Sequence, residues 1–254
     1  MTIKTHVLNG VATIEIARPE RKNALTMAMY EAIAEALRAA NDDPAVRAVL
    51  IAGQPGIFTS GNDLEDFMAR PPRDDDAPVF QFMYALLDCT KPVIAAVTGA
   101  AIGIGTTMLL HSDFVYVSDE ARLAMPFVGL GLVPEFGASL IVPQLVGQRR
   151  AAELLLHGDP FTGAQAVEYG IANAVLPAGE VLNHARRVAE RFNTLAPGAV
   201  RDSKRLMQAP LRAQIRAVIK EEAAIFGTRL RSPEAQEAFQ AFFQKRAPDF
   251  SKFS

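Results

Sequence analysis

Residues 92–112, PVIAAVTGAAIGIGTTMLLHS, carry no formal charge, and this run constrains the fold more than any other part of the chain. A run of this length spans a bilayer when it is helical. Its leading proline, its threonines and Gly99, Gly103 and Gly105 argue instead for a buried strand, a glycine turn and a buried helix. A strand buried on both faces needs layers on both sides of its sheet, so the run predicts an α/β protein. The neighbouring segments keep the rhythm: TMAMYEAIAEALRAAN reads as a helix, VRAVLIAG as a buried strand, VFQFMYALLDC as a helix, and DFVYVS and RLAMPF as strands. Such alternation predicts a largely parallel sheet covered by helices. At the start, IKTHVLNGVATIEIA alternates around Asn9-Gly10, which predicts an antiparallel hairpin.

Beyond Arg149 strand signals nearly vanish, apart from IANAVLP. PGAVRDSKRLMQ and RAQIRAVIKEEAAIFGTRL read as two separate helices, followed by PEAQEAFQAFFQKR. The chain is expected to divide into an α/β core over residues 1–195 and a helical region over 196–254. PPRDDDAP joins prolines to adjacent like charges, and poor order is expected around residues 73–77.

Half of the 254 residues are apolar, 21% are charged and the net charge is −2. This balance offers nothing to nucleic acid or anionic lipid, and neither is expected as a partner. The lone Cys89 excludes an internal disulfide and a cysteine-rich metal site. His6, His111, His157 and His184 show no ligand spacing, so no metal site is expected. MTIKTHVLNGV lacks a basic segment followed by an apolar one, so no signal peptide is read and a cytoplasmic location is expected.

Two loops carry the chemistry. GIGTTM follows a strand, but Met108 stands where the third glycine of a dinucleotide-binding G-x-G-x-x-G would be. Its glycines could serve only tight packing. Alternatively, a glycine turn entering a helix presents backbone N–H groups backed by the helix dipole. FTSGND, after its own strand, is a second loop of this kind. Two such loops could supply one N–H each to a single developing oxyanion.

Glu135 is the remaining anomaly. Between Arg122 and Arg149 it is the only formal charge, and burying a carboxylate is costly unless it is paired, neutralised or used. One reading places it in the first turn of a helix beginning near Pro134, where it would favour the dipole. The other makes it a base whose pKa is raised by Val133, Phe136 and Leu140.

ARPERKNAL, GIFTSGNDL, KPVIAAVTGAAIGIGTTMLLHSD, LGLVPEFGASLIVPQLVG, AAELLLHGDPFTGAQAVEYGIANAVLP and EAFQAFFQKRAPDF, in that order, resemble the crotonase, or enoyl-CoA hydratase/isomerase, superfamily. The resemblance covers essentially the whole chain. It implies a ββα-spiral core with a helical C-terminal trimerisation region, assembled as a trimer or a dimer of trimers. It implies an acyl-CoA thioester as substrate with no separate cofactor, and an oxyanion hole formed by the N–H groups of Asn62 and Ile104. The middle residue of GIG is usually glycine in the family, and Ile104 could narrow the acyl pocket. Lys22 and Ala24 match positions near the CoA ribose-phosphate and pantetheine, and Ser60, Asn62 and Asp63 match the adenine-pocket segment. Gly61, Leu64, Ala101, Gly103, Phe127, Leu130 and Pro134 complete the implied acyl-CoA-binding set. Lys245 or Arg246 could reach CoA phosphates.

The two hydratase glutamates of the family are matched here by Thr107 and Phe127, so neither carboxylate is present. Glu135 matches the single catalytic glutamate of one branch of Δ3,Δ2-enoyl-CoA isomerases. The resemblance therefore implies an isomerase with Glu135 as proton shuttle. The alternatives are a hydratase using atypical groups and a non-catalytic acyl-CoA-binding scaffold. Asp63 is expected to brace its loop, Asp113 to cap a strand, and His111 to be a core residue.

Overall fold

The computed structural model describes residues 2–72 and 76–253. Of the segment expected to be poorly ordered, residues 73–75 lie outside the described residues; Asp76 and Ala77 lead into a helix that begins at Pro78.

Among the described residues, six strands form one sheet in the order β1 (Ile3–Leu8), β2 (Val11–Ile16), β3 (Ala48–Ala52), β5 (Val93–Val97), β7 (Phe114–Ser118), β10 (Ala174–Leu176). The β1–β2 hairpin is antiparallel and every other pairing in this sheet is parallel. Asn9 (φ 49°) and Gly10 (φ 71°) form its turn, the left-handed pair that a tight hairpin requires. AVLIA of β3 and VIAAV of β5 are buried along their whole length, as strands covered on both faces must be. On one side lie α1 (Met27–Asp42), capped by Thr26, and α3 (Pro78–Asp88). On the other, α7 (Val181–Arg191) buries Val181, Ala185 and Ala189 against Leu50, Ile94 and Tyr116.

A second, four-stranded sheet runs β4 (Ile57–Thr59), β6 (Ala100–Ile102), β8 (Arg122–Ala124), β9 (Phe161–Thr162). β4 and β6 are parallel neighbours, and each feeds a loop that opens a helix: α2 (Leu64–Ala69) after β4, α4 (Ile104–Thr107) after β6. Parallel pairing thus sets the two loops side by side.

The later helices are α5 (Ala138–Ala152), broken at Gly147, α6 (Gly163–Glu168), α8 (Pro197–Arg229) and α9 (Pro233–Phe243). Three local expectations are corrected. RLAMPF is a strand only over Arg122–Ala124. Pro210 lies inside α8 rather than dividing two helices; Arg212 and Arg216 beyond it both donate to Asp88 on α3, tying the second half of the helix down. The helix expected near Pro134 starts at Ala138, because Phe136 and Gly137 both have positive φ, which no helical turn accommodates. No helix among the described residues is long and apolar enough to cross a membrane.

Candidate active site

The loop after β4 is fixed by its backbone. Ser60 N–H donates to Lys22 O, Gly61 N–H to Thr59 Oγ1, Leu25 N–H to Gly61 O and Asp63 N–H to Leu25 O. The Asn62 N–H alone in this loop has no protein acceptor among the described residues, and the Asn62 side chain is turned away, its Oδ1 accepting from Tyr30 Oη at 2.6 Å. Gly61 has φ 92°, and a Cβ there would stand 2.9 Å from the Ile102 carbonyl oxygen, so the approach of the two loops needs glycine. In the second loop Gly103 (φ 58°, ψ −119°) turns the chain into α4. Gly103 N–H donates to Ala124 O, while Thr106 and Thr107 donate to Gly103 O. The Ile104 N–H, at the helix start, has no such partner among the described residues, as the first N–H groups of a helix do not.

A third segment, residues 18–25, packs on these loops through Asn23. This fully buried residue, with φ 55°, donates from Nδ2 to Ile16 O, Ile57 O and Phe58 O and accepts Arg18 N–H at 2.7 Å. Arg18 in turn donates to Ala24 O and, at 2.7 Å, to Asp63 Oδ2. Asp63 caps α2 through the Asp66 N–H, so it does brace its loop. Burial pushes its pKa up, but the hydrogen bonds from Arg18 and Asp66 outweigh this and hold the carboxyl below its ordinary value.

Together these segments border a cleft of about 890 Å³. Lys22, Ala24, Ser60, Gly61, Asn62, Asp63, Leu64, Gly103, Phe127 and Leu130 line it, with Phe226 from α8 and Phe239, Phe242, Phe243 and Lys245 at the C-terminal end. Ala101, Ile104, Pro134 and Glu135 do not. Ala101 and Ile104 are fully buried in the main core, so the Ile104 side chain does not narrow the cleft. Lys245 is at the cleft, whereas Arg246 is paired with Glu237 at 2.6 Å. Asp113 accepts Val93 N–H at the start of β5 and Lys204 Nζ. His111 is buried and stacked on Phe136.

Glu135 faces a smaller neighbouring cavity of about 20 Å³, room for roughly one water, lined by Phe67, Val79, Met83, Phe136, Ile219, Glu222, Phe226 and others. Phe67 and Phe226 border both spaces and meet edge-to-face at 6.0 Å. The surroundings thus come from α2, α3 and α8 more than from the expected Val133 and Leu140. Among the described residues, Glu135 Oε1 and Thr107 Oγ1 are the two buried side-chain polar atoms without a hydrogen-bond partner. Burial, reinforced by the charge of Glu222, raises the Glu135 pKa to about 8. Glu222, Tyr30, Asn23 and Arg18 were not singled out in the sequence. A signal existed for Glu222: it interrupts the apolar face of α8 between Ile219 and Phe226, at helical spacing.

Asn62, with its N–H unbonded, thus lines the cleft, Ile104 lies buried at the start of α4 on the neighbouring loop, and beyond an aromatic pair stands one protonatable carboxyl. Comparison with known proteins agrees in kind. The enoyl-CoA hydratase/isomerase family profile matches residues 6–252. Human enoyl-CoA delta isomerase 2 is 32% identical over 246 residues, which is 94% of this chain but 62% of that protein; the chain therefore spans less than two thirds of that relative's length. Crotonyl-CoA hydratase of Syntrophomonas wolfei is 33% identical over 245 residues, 94% of each chain. Among solved structures, Pseudomonas aeruginosa OdaA is 56% identical with a TM-score of 0.93, over 95% of this chain and 98% of that one.

Proposed function

The chain belongs to the enoyl-CoA hydratase/isomerase family, and from that premise we propose that it is a Δ3,Δ2-enoyl-CoA isomerase with Glu135 as its proton shuttle. The observation that carries this reading is Glu135 itself: buried, with Oε1 unpartnered and its pKa raised to about 8, while Thr107 and Phe127 supply no carboxylate. In this reading the thioester oxygen of a 3-enoyl-CoA accepts hydrogen bonds from Asn62 N–H and Ile104 N–H. Glu135 removes a C2 proton; the electron pair moves into the C2–C1 bond and charge collects on the thioester oxygen, where the two donors stabilise it. The enolate then collapses, the double bond shifts to C2–C3, and Glu135 returns the proton to C4. One carboxyl suffices and no water is consumed. A raised pKa brings the shuttle close to neutrality, where donation and acceptance are balanced.

The same reading takes the cleft as the acyl-CoA site, with Lys22 and Lys245 positioned for the CoA phosphates, and residues 196–254 as the region through which subunits trimerise. The test is turnover of 3-hexenoyl-CoA by the purified protein. Conjugated product should form, and Glu135→Gln should lower kcat by roughly 10²–10⁴-fold with CoA affinity retained. Unchanged turnover in that variant removes Glu135 from the reaction. Crotonyl-CoA hydration at a comparable rate favours the hydratase, and CoA binding without either reaction favours the scaffold.

A further inference from the structure

The turn carrying Glu135 has a shape that its sequence does not favour. Phe136, at φ 59°, occupies the left-handed region, which a bulky aromatic adopts only when its surroundings over-determine it. Gly137 follows at φ 74°. Two distant side chains supply the constraint. His111 Nε2 lies 2.7 Å from Phe136 O, and the two rings stack with centroids 3.8 Å apart. Burial lowers the His111 pKa to about 4, so a neutral ring donates Nε2–H to that carbonyl. From the other side Glu222, on α8, accepts Gly137 N–H at 2.6 Å and Ser139 N–H at 2.9 Å.

Glu222 is buried and lines the same small cavity as Glu135. The two carboxyls differ in their commitments. Both Glu222 oxygens hold backbone N–H groups, whereas Glu135 Oε1 holds nothing. A proton on Glu222 would compete with a backbone hydrogen bond, and a proton on Glu135 Oε1 would not. This division makes one group an anchor and leaves the other free to exchange protons.

We propose that Glu222 is a positioning residue for Glu135, fixing the turn at residues 135–139 from the C-terminal helix so that the base keeps its orientation. The proposal rests on Glu135 being the shuttle. Its corollary is electrostatic. The titratable groups around the turn are Tyr30 on α1, His111 after α4, and Glu222 with Glu221 behind it on α8. Of these, Glu222 is the one whose charge raises the proton affinity of Glu135; removing it should lower that affinity.

The experiment compares wild type, Glu222→Gln and Glu222→Asp as full-length protein. It reads kcat and KM on 3-hexenoyl-CoA across a pH range centred on about 8, and the carbon-13 NMR titration of the Glu135 carboxyl, assigned by its loss in Glu135→Gln. For Glu222→Gln we expect kcat to fall roughly tenfold or more with KM little changed. The Glu135 titration point should drop by about one unit. Glu222→Asp keeps the charge but withdraws the oxygens, so kcat should fall while the titration point stays; this variant carries the test if the glutamine form does not fold. A titration point and kcat that both match wild type in the glutamine variant, or a wild-type kcat in the aspartate variant, overturn the proposal. If wild type does not isomerise the substrate, the reading of Glu135 fails by itself, and the NMR titration still decides whether Glu222 governs that carboxyl.

Discussion

Glu135 should make the protein less stable as pH rises, and Glu135→Gln should remove that penalty. An ordinary glutamate titrates near 4.5, and burial with the Glu222 charge moves Glu135 to about 8 when folded. Between these values the unfolded chain has released the proton and the folded chain still holds it, so raising the pH favours unfolding. The penalty is absent below about 4.5, grows through the interval and is complete above about 8. The difference is about 3.5 units, and at about 1.4 kcal/mol per unit the full effect is roughly 5 kcal/mol, of which roughly 3 kcal/mol is present at pH 7. For a chain of this size, 3 kcal/mol corresponds to a Tm difference of roughly 6–12 °C. Urea unfolding of wild type and Glu135→Gln, at matched protein concentration and several pH values between about 5 and 8, reads the effect as a difference in slope. Glutamine brings its own cost of burying an amide, but that offset does not vary with pH. Glu222, whose pKa is also raised by burial, contributes a slope of the same sign in both proteins. Parallel stability curves for the two proteins would refute the reasoning, because they would mean that Glu135 titrates alike folded and unfolded.

With Glu135 as the proposed shuttle, the same ionisation should set the acid limb of activity: kcat/KM should climb with pH until about 8, and a profile already flat at pH 6 would show that another group limits the reaction. Asn23→Ala removes the side-chain donor to Ile16 O, Ile57 O and Phe58 O and the acceptor of the Arg18 N–H, and puts alanine at φ 55°; equilibrium unfolding should show a loss of roughly 3–5 kcal/mol, and a loss under about 1 kcal/mol would contradict that role. Glu237 accepts from Arg246, Lys252 and the Asp249 N–H, which holds its pKa far below the usual carboxylate range. Glu237→Gln should speed amide exchange at Asp249 while the β3 and β5 amides stay protected, and unchanged exchange at Asp249 would argue against the clasp.

The elements that local chemistry dictates were legible in the sequence. Asn9-Gly10 announced its hairpin, the charge-free run announced β5 and the turn into α4, and FTSGND and GIGTTM marked the two loops that the parallel β4–β6 pairing sets side by side. What escaped was set by contacts between distant residues. The start of α5 is displaced because its cap comes from Glu222, 85 positions away from Gly137, and no window around Pro134 contains that carboxylate. Pro210 in isolation costs a helix about 3 kcal/mol, yet α8 continues through it, with Arg212 and Arg216 fastened to Asp88. The unusual charge at Glu135 was visible; the spacing of Ile219, Glu222 and Phe226 also set Glu222 apart from the adjacent, exposed Glu221, but nothing local placed that second carboxylate beside the first.

The Phe67–Phe226 pair turns the distance between Glu135 and the cleft into a question of energy. A rotation that keeps both rings in apolar surroundings gives up only their edge-to-face preference, about 0.5–1.5 kcal/mol. Each methylene that an incoming chain buries contributes about 0.8 kcal/mol. One or two methylenes therefore offset the loss of that edge-to-face preference. A polar tail of the same size gains no comparable burial and meets the same wall. If Glu135 is the shuttle, the contact amounts to a hydrophobic threshold, which an apolar guest crosses at smaller cost than a polar one.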